Sequence, residues 1–318
     1  MNDFENILVY AGTEQPETSV SKATELALAN RARLTLMDVV KPIPRALGML
    51  TDVAEPKELE KLVAADRRRR LLNLAADYSD TGLSMDVVVA IGDPATEITR
   101  QVIQDEHDLV VKTADGFSTA GRLFGSVAKS LLRLCPCPVW LLKPDIHGEF
   151  DRVLVAIDID SHDAAHAQLN RRMLELAYSI AQRDKAHLHV VSAWQLWMEE
   201  SVRRHAGSDA VDDVRREHEA RVHQALDELL QTPFAEANDV HLHLRHGAPA
   251  NAIRDVADEV EADLIVTGVA GFLIGNTAET VVPDVTCSLL ALKPEGFLSP
   301  VEMSQTVIVE DEQPLPLI

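Results

Sequence analysis

Short apolar runs alternate along the chain with longer amphipathic or charged stretches, and the whole alternation occurs twice. In the first half the runs Asn6–Ala11, Arg33–Val40, Ser84–Ala90, Asp108–Lys112 and Pro138–Lys143 have strand length and little polar alternation, the pattern of strands buried on both faces. Between them, Ser19–Ala32 carries Val20, Ala23, Leu26 and Ala27 at helical spacing. Glu58–Asp77 is a long charged helix bearing Leu59, Leu62, Val63, Leu71, Leu72 and Leu74. Gly92-Asp93-Pro94 turns into a helix over Ala95–Gln104, and a loop with Gly116, Gly121 and Gly125 leads to a helix over Ser126–Leu134. Lys41–Pro56, with Pro42 and Pro44, reads as a loop.

The second half repeats the order. Strands are predicted at Arg152–Ile157, His187–Ser192, Val240–Arg245, Asp263–Thr267 and Cys287–Lys293, and helices at Ala164–Gln182, Ala210–Leu230, Ala250–Val260 and Thr277–Val281. Local wording matches too. Gly92-Asp93-Pro94-Ala95 answers Gly247-Ala248-Pro249-Ala250, Asp108-Leu109-Val110-Val111 answers Asp263-Leu264-Ile265-Val266, and Leu142-Lys143-Pro144 answers Leu292-Lys293-Pro294. The expected architecture is α/β: two tandem, doubly wound parallel-sheet domains, residues 1–146 and 147–294, followed by an acidic extended tail, 295–318. Such sheets bind ligands at the carboxyl ends of their strands, where the strand order switches.

The stretch Asp263–Glu279 ends an apolar strand in Gly268 and Gly271 and reopens at Gly275-Asn276-Thr277 as a helix start. Glycine permits close backbone approach, and the free N–H groups of a first helical turn attract anions. A phosphate site is one reading; an ordinary strand-to-helix turn is the other. There is no GxxxxGK[ST] motif and no complete GxGxxG, so an anion here would depend on backbone N–H groups.

Composition narrows the partners. A net charge of −21 disfavours a nucleic-acid backbone or an anionic membrane as partner. With aromatics at 4% and hydrophobic residues at 46%, the cores are aliphatic. The start MNDFENILVY has no signal-peptide pattern, no apolar run reaches membrane-spanning length, and three cysteines make no disulfide framework. A cytoplasmic location is expected.

With these motifs assembled, the chain resembles the universal stress protein family in its tandem, UspE-type form. The marks are an opening strand ending in Asp, a strand leading into G-x2-G-x9-G-[S/T], and an apolar last strand. In the second half Val153–Asp158 matches the opening strand, Gly268 and Gly271 match G-x2-G, and Gly275-Asn276-Thr277 matches the final G-[S/T]. The resemblance implies five-stranded units of the adenine-nucleotide-binding kind. Asp158 would hold the nucleoside, Val190 would line the adenine pocket, and the glycine loop would hold phosphates of ATP or another adenine nucleotide, with Mg2+. The spacer is clipped, with only Phe272, Leu273 and Ile274 between Gly271 and Gly275, which leaves a smaller phosphate compound, or none, as alternatives to a triphosphate. In the first half Gly12 stands where Asp is expected and Thr113 replaces the first loop glycine, while Gly116, Gly125 and Ser126 are kept. The second half ranks higher as the nucleotide site. The resemblance also implies pairing of the two domains within the chain through their last strands, with a homodimer as a further expectation.

Other features have plainer readings. His187 and His189 alternate on one strand, His241 and His243 on another; structural, hydrogen-bonded histidines are favoured over a Zn or Ni site. Asp158, Asp160 and Asp163 read as a solvated helix cap, with Mg2+ beside a nucleotide as the alternative. Cys135-Pro136-Cys137 reads as buried thiol, and Arg67–Arg70 as a solvated helix surface. There is no G-x-S-x-G elbow and no H-E-x-x-H, and no catalytic constellation emerges. The expected function is therefore ligand binding in a stress response without turnover. A slow nucleotide hydrolase, or a structural or apolar-ligand module with degenerate loops, stands as the alternative.

Overall fold

The computed structural model describes residues 4–13, 15–44, 56–114, 125–144, 146, 148–159, 164–195, 204–205, 208–231, 240–269 and 286–302. The chain divides into two compact units. One comprises residues 1–118, 124–146 and 298–318, the other residues 119–123 and 147–297.

In the first unit the apolar runs form β1 (Asn6–Tyr10), β2 (Arg33–Val40), β3 (Met85–Ile91), β4 (Leu109–Thr113) and β5 (Val139–Leu142), and the amphipathic stretches form α1 (Glu17–Asn30), α2 (Pro56–Ala76), α3 (Pro94–Gln104) and α4 (Ser126–Leu134). The strands are parallel in the order β3-β2-β1-β4-β5. Right-handed crossovers place α1 and α2 on one face and α3 and α4 on the other; accordingly α1 packs on β1, β2 and β4, α2 on β2 and β3, and α3 against α4. Every residue of β1, β4 and β5 is buried, as the uniform apolar runs require. Asp93 starts α3 by accepting the Thr96 N–H at 3.1 Å, with Pro94 in the first turn.

The second unit repeats the plan with β6 (Arg152–Ile157), α5 (Ala164–Asp184), β7 (His187–Trp194), α6 (Ser208–Gln231), β8 (Val240–His246), α7 (Pro249–Glu259), β9 (Leu264–Gly268) and β10 (Ser288–Leu292). Its strands are parallel in the order β10-β9-β6-β7-β8. The edge strand β8 is mostly half-buried or exposed. The helix expected over Thr277–Val281 lies outside the described residues. The tail begins with a turn at Gly296 (φ 76°) and continues without regular structure to Glu302, whose carbonyl accepts a hydrogen bond from Arg100 at 3.1 Å.

The same device anchors both sheets. Asp108 accepts the backbone N–H groups of Glu5 (2.6 Å) and Asn6 (3.0 Å) at the start of β1. Asp263 accepts those of Asp151 and Arg152, both at 2.9 Å, at the start of β6. Each carboxylate thus ties the first strand of its unit to the fourth. Asp108→Ala leaves both N–H groups without their charged acceptor. The expected loss is about 2 kcal/mol of folding stability, read from denaturant unfolding.

His107, between α3 and β4, is buried, with Nδ1 3.3 Å from the Gln101 carbonyl and Nε2 3.2 Å from the Thr35 hydroxyl. A neutral ring satisfies both, donating from Nδ1 and accepting at Nε2. Burial is the main reason its pKa lies below the usual 6.5. The folded state therefore binds this proton less well than the unfolded one. The contribution is complete above about pH 6.5 and is lost as pH falls toward the lowered folded value. Denaturation midpoints measured across that range should fall with acidification, and His107→Gln should flatten the slope.

Candidate functional site

In each unit the strand order reverses beside the first strand, between β1 and β4 and between β6 and β9. In the first unit the helices that follow these strands, α1 and α4, lie on opposite faces, and such a reversal of strand order marks a crevice at the carboxyl ends of the strands. The Asp108 and Asp263 anchors lie at the opposite ends of the same strand pairs. They also set the correspondence between units: Asn6 matches Arg152, and Asp108 matches Asp263. Residue for residue, Tyr10 and Gly12 then match Ala156 and Asp158, Asp38 matches Ser192, and Thr113 matches Gly268.

The first unit fills its own crevice. A Cβ placed on Gly12 would lie 2.3 Å from Asp38 Oδ1 and 2.5 Å from the Tyr10 hydroxyl. Asp38 is 2% exposed. Its Oδ1 accepts the Val39 N–H at 2.7 Å, and its Oδ2 pairs with Arg67 Nη1 at 3.3 Å. Arg70 donates to the carbonyls of Ala11 (3.3 Å) and Thr13 (3.1 Å). Thr113 spends its hydroxyl on the first turn of α1, accepting the Ser19 N–H at 3.1 Å. Gly125 precedes α4 with φ −78° and ψ −172°, a conformation open to any residue, and Ser126 is the exposed first residue of that helix. Gly116 lies outside the described residues.

These contacts refine the reading of Arg67–Arg70 as solvated surface: Arg69 and Arg70 are exposed, yet Arg67, Arg68 and Arg70 each bond to the sheet or the chain that leaves it. Arg67 and Arg70 reach over the rim, and Arg68 donates to the Val87 carbonyl at 2.9 Å. Arginine stems lie along apolar surface while the guanidinium finds oxygen acceptors, and here the acceptors belong to the sheet.

The second unit carries smaller groups at the matching positions. Ala156 stands for Tyr10 and Ser192 for Asp38. The Ser192 hydroxyl is buried and makes no hydrogen bond to any described residue. Asp158 directly follows β6 with its side chain exposed. Its backbone is clamped by Asn170 of α5, whose Oδ1 accepts the Asp158 N–H at 3.1 Å and whose Nδ2 donates to the Asp158 carbonyl at 2.6 Å. Gly268 ends β9, and the room it leaves is taken by α5: an added Cβ would meet Leu169 Cδ2 at 2.8 Å and Met173 Sδ at 3.3 Å. Val190 pairs with Val155, three residues before Asp158, and is 1% exposed. The position level with Asp158 by continuation of this register is Ala193. Gly271, Gly275, Asn276 and Thr277 lie outside the described residues, as do Asp160 and Asp163.

A profile described as the Universal stress protein family matches residues 3–143 and again residues 149–293. The chain belongs to the universal stress protein family. It carries two family domains in tandem. Universal stress protein E of Photorhabdus laumondii is 27% identical over 326 residues, covering 96% of this chain and 100% of that protein. The universal stress protein E homolog of Haemophilus influenzae is 25% identical, covering 92% and 98%. Among solved structures, a functionally unknown protein from Pseudomonas aeruginosa PAO1 has a TM-score of 0.69 at 24% identity, covering 92% of this chain and 93% of its own. A universal stress protein from Archaeoglobus fulgidus has a TM-score of 0.63 at 19% identity, covering 92% and 99%. Both structural likenesses concern the fold.

Sequence reasoning missed Asn170, Asp38, Tyr10 and the rim arginines. Asn170 had one signal: an amide among Leu169, Met173, Leu174 and Ala177 on the apolar side of a helix, a place where a buried polar group needs a partner. Cys135 and Cys137 are free, buried thiols with sulfurs 3.4 Å apart; burial pushes the Cys137 thiol well above its ordinary value, which suppresses the reactive thiolate. No described helix is long and apolar enough to cross a membrane.

The two rim glycines should respond differently to a methyl group. Gly12→Ala drives Cβ into a carboxylate already held by Arg67 and Val39, with an expected cost of about 2–3 kcal/mol. Gly268→Ala displaces the mobile tip of Leu169, at about 1 kcal/mol or less. Thermal or denaturant unfolding of the two variants gives the comparison.

Proposed function

We propose that this tandem universal stress protein binds an adenine nucleotide, or a smaller phosphate compound of that kind, in its second unit, and acts in the stress response through binding without turnover. The observation that carries the reading is the exchange at matching rim positions. Tyr10, Asp38 and Gly12 fill the first crevice, whereas Ala156, Ser192 and an exposed, backbone-clamped Asp158 stand at the matching positions of the second unit. An exposed carboxylate on a fixed backbone accepts hydrogen bonds from sugar hydroxyls with only its own side chain to order. The resemblance supplies the phosphate half. Gly268, Gly271, Gly275, Asn276 and Thr277 would offer backbone N–H groups at the far side of the crevice, and Mg2+ would accompany the phosphates. Val190 would support the pocket from beneath and Ala193 would face the base. In the first unit, Gly116, Gly125 and Ser126 keep the loop pattern beside a filled nucleoside position, so one site per chain follows.

Isothermal titration of ATP and AMP, each with Mg2+, into chain freed of co-purified ligand tests the proposal. The expected outcome is saturable binding at a stoichiometry near one, weakened about tenfold or more by Asp158→Ala, a loss of about 1.4 kcal/mol or more. An absence of binding at millimolar nucleotide would rule it out.

A further inference from the structure

The second unit carries four imidazoles at strand positions where the first has other residues. His187, His189, His241 and His243 match Arg33, Thr35, Asp86 and Val88, and the same rungs form in both units. The strand pairing therefore does not require histidine at these positions. His189 and His241 are register partners, and their rings stack with centroids 4.9 Å apart. His243 lies 5.3 Å from His189 by centroid, with His189 Nδ1 and His243 Nε2 only 3.1 Å apart. His187 sits 6.1 Å from His241. Alternation puts all four rings on one face of β7 and β8, and His187 and His241 are exposed to solvent.

We propose that this histidine set binds a late first-row transition-metal dication, with His189 Nδ1 and His243 Nε2 as the donor pair. Imidazole nitrogens bind Zn2+ at about 2.0–2.1 Å, which places two ligands on one tetrahedral ion about 3.3 Å apart, and about 2.9 Å apart in a square-planar site. The observed 3.1 Å lies between these bites. Metal binding needs a lone pair on each donor. The proton now shared between the two rings moves, through solvent, to the other nitrogen of its own ring, so two neutral rings stay neutral and no net proton is released. The surroundings favour neutral rings. Burial first, then His241, His243 and His187, push the His189 pKa down to about 4, and burial lowers that of His243. The cations facing the cluster are each paired: Arg245 with Glu259 at 2.6 Å, and Arg152 with Glu261 at 3.3 Å. Among the described residues no three His, Cys, Asp or Glu side chains converge on one point. The site is a two-imidazole chelate completed by water, with exposed His241 alongside.

Titration calorimetry of Zn2+ alone into untagged full chain tests the site. One ion per chain is expected, at micromolar affinity. The His189→Gln/His243→Gln double variant should lose more than the roughly 10–100-fold typical of losing an outer-shell partner, with native circular dichroism. The Cu2+-loaded unmutated chain gives a readout that does not depend on the variant folding. Its electron paramagnetic resonance spectrum should carry coupling to imidazole nitrogen, and Cu2+ should selectively broaden the His189, His241 and His243 ring resonances. An absence of saturable Zn2+ binding, undiminished binding by the folded double variant, or broadening confined to other histidines would each overturn the proposal.

Discussion

One carboxylate holding two backbone amides, made once per unit, fixes the geometry on which both crevices depend. Glu5 and Asn6 are 103 and 102 residues from Asp108, and Asp151 and Arg152 are 112 and 111 from Asp263. These bonds add to the backbone ladder between the first strand and the fourth, the pair that is adjacent in the sheet but distant along the chain. Closing such loops costs conformational entropy, and a slip of one residue would turn every side chain of β1 or β6 to the wrong face. A charged acceptor taking two adjacent N–H groups admits one register. It acts at the amino ends of the strands and so leaves the carboxyl ends free to vary.

That freedom accounts for how far the two rims have diverged over the same frame. In the first unit Arg67 pairs with Asp38, Arg70 holds the carbonyls of Ala11 and Thr13, and Asp38 and the Tyr10 hydroxyl crowd Gly12. Glycine at position 12 follows from this crowding, because no Cβ fits beside Asp38. In the second unit the bulk is gone, Asp158 occupies the glycine position, and Asn170 takes over the task of holding the backbone. Asn170 satisfies both the N–H and the carbonyl of Asp158 from a single amide, so the strand end is fixed from α5. The frame is therefore common to the two units, while the chemistry at the rim is not.

The order of strands and helices, the duplication and the parallel sheet were legible because they rest on periodicity: uniformly apolar runs for β1, β4, β5 and β10, and 3.6-residue spacing for α1 and α3. The Asp158 position was legible because it ends a strand. Rim contacts were not. Arg67 to Asp38 and Arg70 to Ala11 span 29 and 59 residues, and nothing in the spacing of a charged helix says which arginines turn inward. Val190 illustrates the complementary difficulty. The run His187–Ser192 reads as a strand, yet only the pairing with β6 tells which residue lies level with Asp158, and β7 continues to Trp194.

The histidines show how register converts a pattern into chemistry. Alternation placed His187 with His189 and His241 with His243, and the pairing of His189 with His241 joins the two sets. Part of that concentration has a packing explanation. The first unit sets one imidazole, His107, against Thr35; at the matching positions the second unit has Ala262 and His189. Both loops make the same backbone bond, His107 N–H to the Val102 carbonyl at 3.0 Å and Ala262 N–H to the Ala257 carbonyl at 2.8 Å. One ring and one small residue have thus changed places between loop and strand. This exchange accounts for a single imidazole near the amino ends of the strands. It does not account for His187, His241 and His243, which gather around that ring on an edge where Arg, Asp and Val serve the other unit equally well.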